Sequence, residues 1–244
     1  MKKITLFSTL AILGTLALST TNVFAADGGV YKSNGQISFV PNEDPTDPVD
    51  PTDPENPVDP VDPTDPEGPG EGTAGPLSID FASSFNFGEQ KITSSNQVYK
   101  AAAQEYKNSS GEIKKGPNYV QATDNRGTEA GWKLMVKQDA QFKSSSEKEL
   151  TGASLQLTNG NIVTASTSAE PASEAAVTLV PGEESKLMNA AAGQGAGTFL
   201  LDWGTDETTG GQSVSLSVPG STTKYAEKYA TTLTWTLTDT PDNA

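Results

Sequence analysis

The chain has 244 residues and a formal net charge of −15, from 16 Lys and Arg against 31 Asp and Glu, and it contains neither cysteine nor histidine. Its fold must therefore stand without disulfides, and thiolate and imidazole nucleophiles, bases and soft-metal ligands are excluded. So acidic a chain also argues against nucleic acid as a partner.

Residues 1–25 begin with Lys2 and Lys3 and continue into an uncharged stretch from Ile4 to Leu18. Asn22-Val23-Phe24-Ala25 follows, with Ala26 next. A positive start, a short apolar run and Ala before the break read as a secretory signal peptide cut after Ala25. The apolar run is short of the roughly 20 residues a membrane span needs. No later run is long enough, so the expectation is an exported mature chain without a transmembrane segment.

Residues 26–43 include VYKSNGQISFVPN, in which Ile37 and Phe39 alternate with polar residues as in a β-strand. The expectation is a strand over 28–40, packing in its own domain or on a partner; the alternative is a loose terminus.

Residues 44–75 form an acidic, proline-rich segment. From Pro45 to Pro69 a proline falls at every third position, and Asp precedes most of them. Residues 43–71 hold eleven acidic groups and no basic one. Three residues per turn is the period of polyproline II, which sets prolines along one edge and like charges along another. The expectation is a disordered, self-repelling arm, its stretch from Pro45 to Pro69 reaching roughly 80 Å at full extension. A ligand for a proline-reading domain and a cation-binding comb are the alternatives.

Residues 76–244 carry nineteen acidic and thirteen basic side chains, so most of the acidity belongs to the arm. Short alternating runs separated by turn signals predict strands near 118–123, 131–138, 150–158, 177–180, 197–203, 214–218 and 229–238. Asn159-Gly160, between Leu155-Gln156-Leu157 and Ile162-Val163, predicts a hairpin. Helical signal is confined to 100–106 and 185–192. The fold class is all-β: an antiparallel sandwich or barrel-like domain with few short helices, plus the extended arm.

Two Trp-x-Leu triplets stand out, Trp132-Lys133-Leu134 and Trp235-Thr236-Leu237, in a chain with three tryptophans. Residues i and i+2 of a strand share a face, so each Trp and its Leu form one apolar pair. The flanks are Gly131 before the first and Tyr229-Ala230-Thr231-Thr232-Leu233-Thr234 before the second. Leu77-Ser78-Ile79-Asp80-Phe81, Asp124-Asn125-Arg126-Gly127 and Phe199-Leu200-Leu201-Asp202-Trp203-Gly204 add to the pattern. With the leader, this pattern resembles the WxL family of Gram-positive surface proteins. The resemblance implies noncovalent attachment of the domain to the cell wall, with peptidoglycan or another wall polymer as ligand. It also implies a membrane-anchored partner protein at the surface and admits a surface assembly that meets host or matrix proteins. The C-terminal TLTWTLTDTPDNA lacks a Leu-Pro-x-Thr-Gly motif and a hydrophobic tail, so covalent anchoring is not expected.

Candidate site residues follow. Trp132, Leu134, Trp235 and Leu237 either fill a shared core or present an aromatic platform to sugars or a partner. The long one-sided faces favour the core. Arg126 is the chain's single arginine. It either braces its turn through Asp124 or recognises a ligand. Asp202, Asp206 and Glu207 around Trp203 could imitate a glycosidase pair, but nothing fixes their separation. No cofactor, metal or catalytic residue is expected; the reading is a non-enzymatic surface protein.

Overall fold

The computed structural model describes residues 30–242, so the proposed leader lies outside the described residues. The chain divides into two units, 1–38 and 39–244. Within the first, residues 30–38 have no regular structure, and Val30, Tyr31 and Ile37 are exposed. The strand expected over 28–40 does not form among the described residues, because an alternating pattern without a paired neighbour gains no ladder.

The second unit opens with β1 (Val49–Asp50), β2 (Asp53–Pro57) and β3 (Asp59–Pro60) inside the proline-rich segment. Then come β4 (Leu77–Ala82), β5 (Gln97–Lys100), β6 (Gln104–Lys107), β7 (Ile113–Gly116), β8 (Asn118–Asp124) and β9 (Trp132–Gln138). β10 (Lys143–Ser144), β11 (Ser154–Thr158), β12 (Gly160–Val163), β13 (Ala172–Ser173), β14 (Ala176–Leu179), β15 (Glu184–Ala190) and β16 (Gly197–Trp203) follow. The order closes with α1 (Glu207–Ser213), β17 (Val214–Val218), β18 (Tyr229–Ala230) and β19 (Leu233–Thr238).

Three four-stranded sheets, ordered β14-β11-β17-β5, β12-β16-β8-β4 and β13-β15-β9-β19, carry the fold, and their ladders are antiparallel. Each gives one face to a single core: Leu155 and Val214 from the first, Val120 and Phe199 from the second, Trp132 and Leu187 from the third. The result is an all-β, barrel-like arrangement, as the spacing of the alternating runs predicts.

Several local expectations are corrected. Residues 100–106 and 185–192 are not helical; they contain β6 and β15. In β15 adjacent Leu187 and Met188 are both buried at a bulge against β9, so pairing overrides local helical preference. The helix is instead α1, a run with two Gly and two Thr that has poor intrinsic propensity. It is held by a capping box, with the Asp206 carboxylate accepting from the Thr209 amide at 2.7 Å. Asn159-Gly160 does not close a hairpin: β11 pairs with β14 and β17, whereas β12 pairs with β16 in another sheet. Asn159, at φ 55°, turns the chain between two sheets, and its side-chain amide donates to the Ser213 hydroxyl at 3.0 Å. The run 229–238 splits too, Tyr229 packing on a smaller cluster with Phe142 and Leu216, and Leu233 onward on the main core.

The proline-rich segment departs most from its expectation. It folds back on the domain instead of extending from it. β1 pairs with β2, and β3 pairs with β6 of a three-stranded sheet. Two of its Asp-Pro-Thr triplets are turns: Asp50 accepts from the Thr52 amide at 2.8 Å, and Asp62 from the Thr64 amide at 2.7 Å. Valine replaces threonine or glutamate in other triplets, and there the chain meets the domain. Val58 is buried, and Val49 packs beside Phe81 and Tyr119. The Gln121 side chain clamps the strap, accepting from the Val49 amide at 2.8 Å and donating to the Asp47 carbonyl at 3.1 Å.

Candidate functional site

The two Trp-x-Leu triplets lie on neighbouring strands. β19 runs antiparallel to β9 with Leu237 opposite Leu134 and Trp235 opposite Val136. The two leucines therefore face each other and the tryptophans flank them from opposite ends, so the motifs are two halves of one packing unit. Trp132 has no exposed surface, packs against Phe199, and donates its indole N–H to the Gly195 carbonyl at 2.9 Å. Gly195, at φ +77°, has no room for a side chain: a Cβ there would lie 2.6 Å from the Trp132 ring nitrogen. Trp235 is only half-buried and lies 6.1 Å from Trp203, the third tryptophan. Of the residues between the pairs, Lys133 points outward to Asp242 at 2.8 Å, and Thr236 makes no such contact.

Asp124 and Arg126 close the turn that leads into the first motif. The guanidinium grips the carboxylate through Nε at 2.9 Å and Nη2 at 2.8 Å, and Nη2 also donates to the Gly131 carbonyl at 2.8 Å. The Asp124 side chain is almost wholly buried. Hydrogen bonding to that carboxylate pushes the Arg126 pKa up. The pair fixes Gly131, whose own φ of +85° admits the chain to β9.

The carboxylates near Trp203 do not form a catalytic pair. Asp202 is fully buried, whereas Asp206 is an exposed helix cap and Glu207 sits in the first turn of α1.

An open groove of about 920 Å³ lies beside this core. Its floor is the outer end of the β11-β17-β5 surface, with Leu155, Leu216, Val218 and the half-buried Tyr99. One wall is the β4–β5 connection, with Phe85 and Phe87; the other is 224–233, with Tyr225 and Tyr229. Aromatic contacts tie the groove to the motifs. Phe85 meets Trp203 edge-on at 5.9 Å, and Trp203 meets Trp235. Phe87 meets Phe142 at 6.2 Å, also edge-on. The rim is polar. Lys91 and Lys228 are exposed and make no salt bridge among the described residues, while Lys224 donates to the Pro219 and Thr222 carbonyls at 2.9 Å each. Lys148 lies 5.4 Å over the ring of Tyr225.

Leu155, Leu216, Val218 and Tyr229 fall in runs that the sequence predicts as strands, but none of the groove residues carries a site role in the sequence reading. The available signal was the doubled Lys-Tyr-Ala of 224–226 and 228–230, where two tyrosines recur beside two lysines. Apolar walls with convergent polar groups at the rim suit a ligand that has both flat and hydrogen-bonding surfaces.

Fold and groove together describe an antiparallel all-β domain with an open aromatic groove on its surface. A protein-family comparison then gives the specific affiliation: the family described as WxL domain surface cell wall-binding matches residues 26–241. The chain belongs to the WxL family, a family of surface, cell-wall-binding domains. No curated protein and no solved structure matches it. Among the described residues no helix is long and apolar enough to cross a membrane.

Proposed function

We propose that this is an exported, non-enzymatic protein that attaches noncovalently to the Gram-positive wall, with peptidoglycan as its ligand, and that the aromatic groove is the contact surface. The observation that carries this reading is the groove itself. Tyr99, Tyr225 and Tyr229 offer ring faces and hydroxyls to sugar rings, and Lys91 and Lys228 offer free cations to carboxylates of the wall. The Trp-x-Leu pairs support this surface from beneath through Trp203 and Phe85 instead of touching the ligand themselves.

A second reading has its own support. Ile37 and Phe39 are exposed in an alternating, unpaired run, the form of a segment that adds to another protein's sheet. On that reading a membrane-anchored partner holds the chain at the surface within an assembly, and glycan contributes little. Retention on purified, protein-free sacculi separates the two. Direct binding predicts retention without any added protein; retention only when a partner is supplied favours the second reading.

A further inference from the structure

The two walls of the aromatic groove meet at one end. There the Gly220 amide donates at 2.8 Å to the side-chain Oδ1 of Asn96, which lies on the β4–β5 connection. Gly220 is pressed so closely on that connection that a Cβ would overlap the Ser94 carbonyl oxygen. Lys224 follows at the start of the opposite wall. It is half-buried, and its ammonium donates to the Pro219 and Thr222 carbonyls at 2.9 Å each. An ammonium has three N–H donors, so one remains, and no carboxylate pairs with it among the described residues. Held by two carbonyls, this cation has already lost the side-chain freedom that an exposed lysine must give up on binding. The wall behind it is tied down too: the Tyr225 amide donates to the Tyr229 hydroxyl at 3.0 Å, and the Glu227 amide to the Tyr225 carbonyl at 2.8 Å.

The other charges on the groove are mixed. Glu89, Lys91, Glu227 and Lys228 are exposed lining residues, and none takes part in a salt bridge among the described residues. Hydrogen bonds from Ser144 and Ser146 hold the Glu227 carboxyl below its ordinary value, so it stays an anion. Cations alone would suit a polymer with a phosphate on every repeat. Two carboxylates on the same lining repel such a chain and match a ligand that carries a free amine as well as a carboxylate.

We infer that the part of the wall this groove takes is the peptide stem of peptidoglycan, with the free C-terminal carboxylate of the stem on Lys224 and its side-chain amine facing the acidic rim. The assignment rests on the groove being the wall-contact surface. An end at which the walls touch suits a chain terminus better than the interior of a continuous polymer. The remaining N–H of Lys224 gives that terminus a charge-assisted hydrogen bond, which an amide in place of the carboxylate cannot match.

The test uses the full chain on protein-free sacculi, before and after their phosphate polymers are stripped with hydrofluoric acid. A synthetic stem pentapeptide ending in D-Ala-D-Ala displaces the bound chain, its C-terminal amide does so about tenfold less well, and poly(glycerol phosphate) does not. Stripping the phosphate polymers leaves retention unchanged. Lys224→Met keeps the aliphatic stem without the charge, and on this variant free acid and amide compete equally. Lys107→Met, at an exposed lysine of β6, keeps the wild-type preference. The wild-type comparison of acid with amide decides the question even if Lys224→Met fails to fold. Equal displacement by the two peptides, or loss of retention once the phosphate polymers are gone, overturns the stem assignment and leaves wall attachment standing. No retention on either kind of sacculus removes both.

Discussion

Trp132 and Trp235 share a motif but not an environment, and the difference predicts unequal costs. Trp132 is fully enclosed and its N–H is used, so Trp132→Ala should lose about 3–5 kcal/mol of stability. Trp235 is half-buried against Trp203, and Trp235→Ala should lose roughly half as much. Denaturant unfolding of the two variants gives the comparison; equal losses would contradict the asymmetry. The same scale carries the pH dependence. Burial pushes the Asp202 carboxyl well above its ordinary value of 3.8, with the Asp50 charge adding to it, and burial likewise raises Asp80. Between the ordinary carboxyl range and the raised folded values, the folded chain holds protons that an unfolded chain has released. Stability contributed by these groups is therefore present at low pH and is lost as pH rises through the raised folded values. The wild type should be more stable at pH 5 than at pH 7.5, and Asp202→Asn should show a shallower slope. A wild type that gains stability across that interval would contradict the burial argument.

At the scale of elements, what was legible and what was not have a common cause. β8, β9, β16 and β17 were readable because alternation or a continuous apolar run reports burial directly, as in the strict buried/half-buried order of Trp132 to Gln138. Elements set by long-range partners were not. β15 looked helical because its pairing with β9 is invisible locally, and Asn159-Gly160 looked like a hairpin because a turn residue says nothing about which sheet comes next. The strap was misread for a different reason. Its prolines announce an extended chain, but the three valines that contact the domain, Val49, Val58 and Val61, occupy the variable third place of each triplet, where they resemble noise. Their role predicts a loss on substitution. Val58→Asp should destabilise the strap by about 2 kcal/mol and open 44–75 to protease while the three large sheets stay folded. Unchanged cleavage would show that the strap does not depend on this contact.

Within the second unit, three sheets around one core leave an open aromatic groove and, under the strap, a polar face of the β12-β16-β8-β4 sheet. The Trp-x-Leu signature identifies the family because it records how β9 and β19 pack together, and the groove built beside that packing is the surface proposed to meet the wall. Binding and stability should therefore separate by position. The most direct measurement is retention of purified full-length chain on protein-free sacculi, with each variant's unfolding midpoint measured alongside. Tyr99→Ser combined with Tyr225→Ser should weaken retention about tenfold, equivalent to about 1.4 kcal/mol, while its loss of stability stays below that of Trp132→Ala. Val163→Ala, beneath the strap and away from the groove, should leave retention intact. Full retention by the double tyrosine variant would contradict the assignment of the groove as the wall-binding surface.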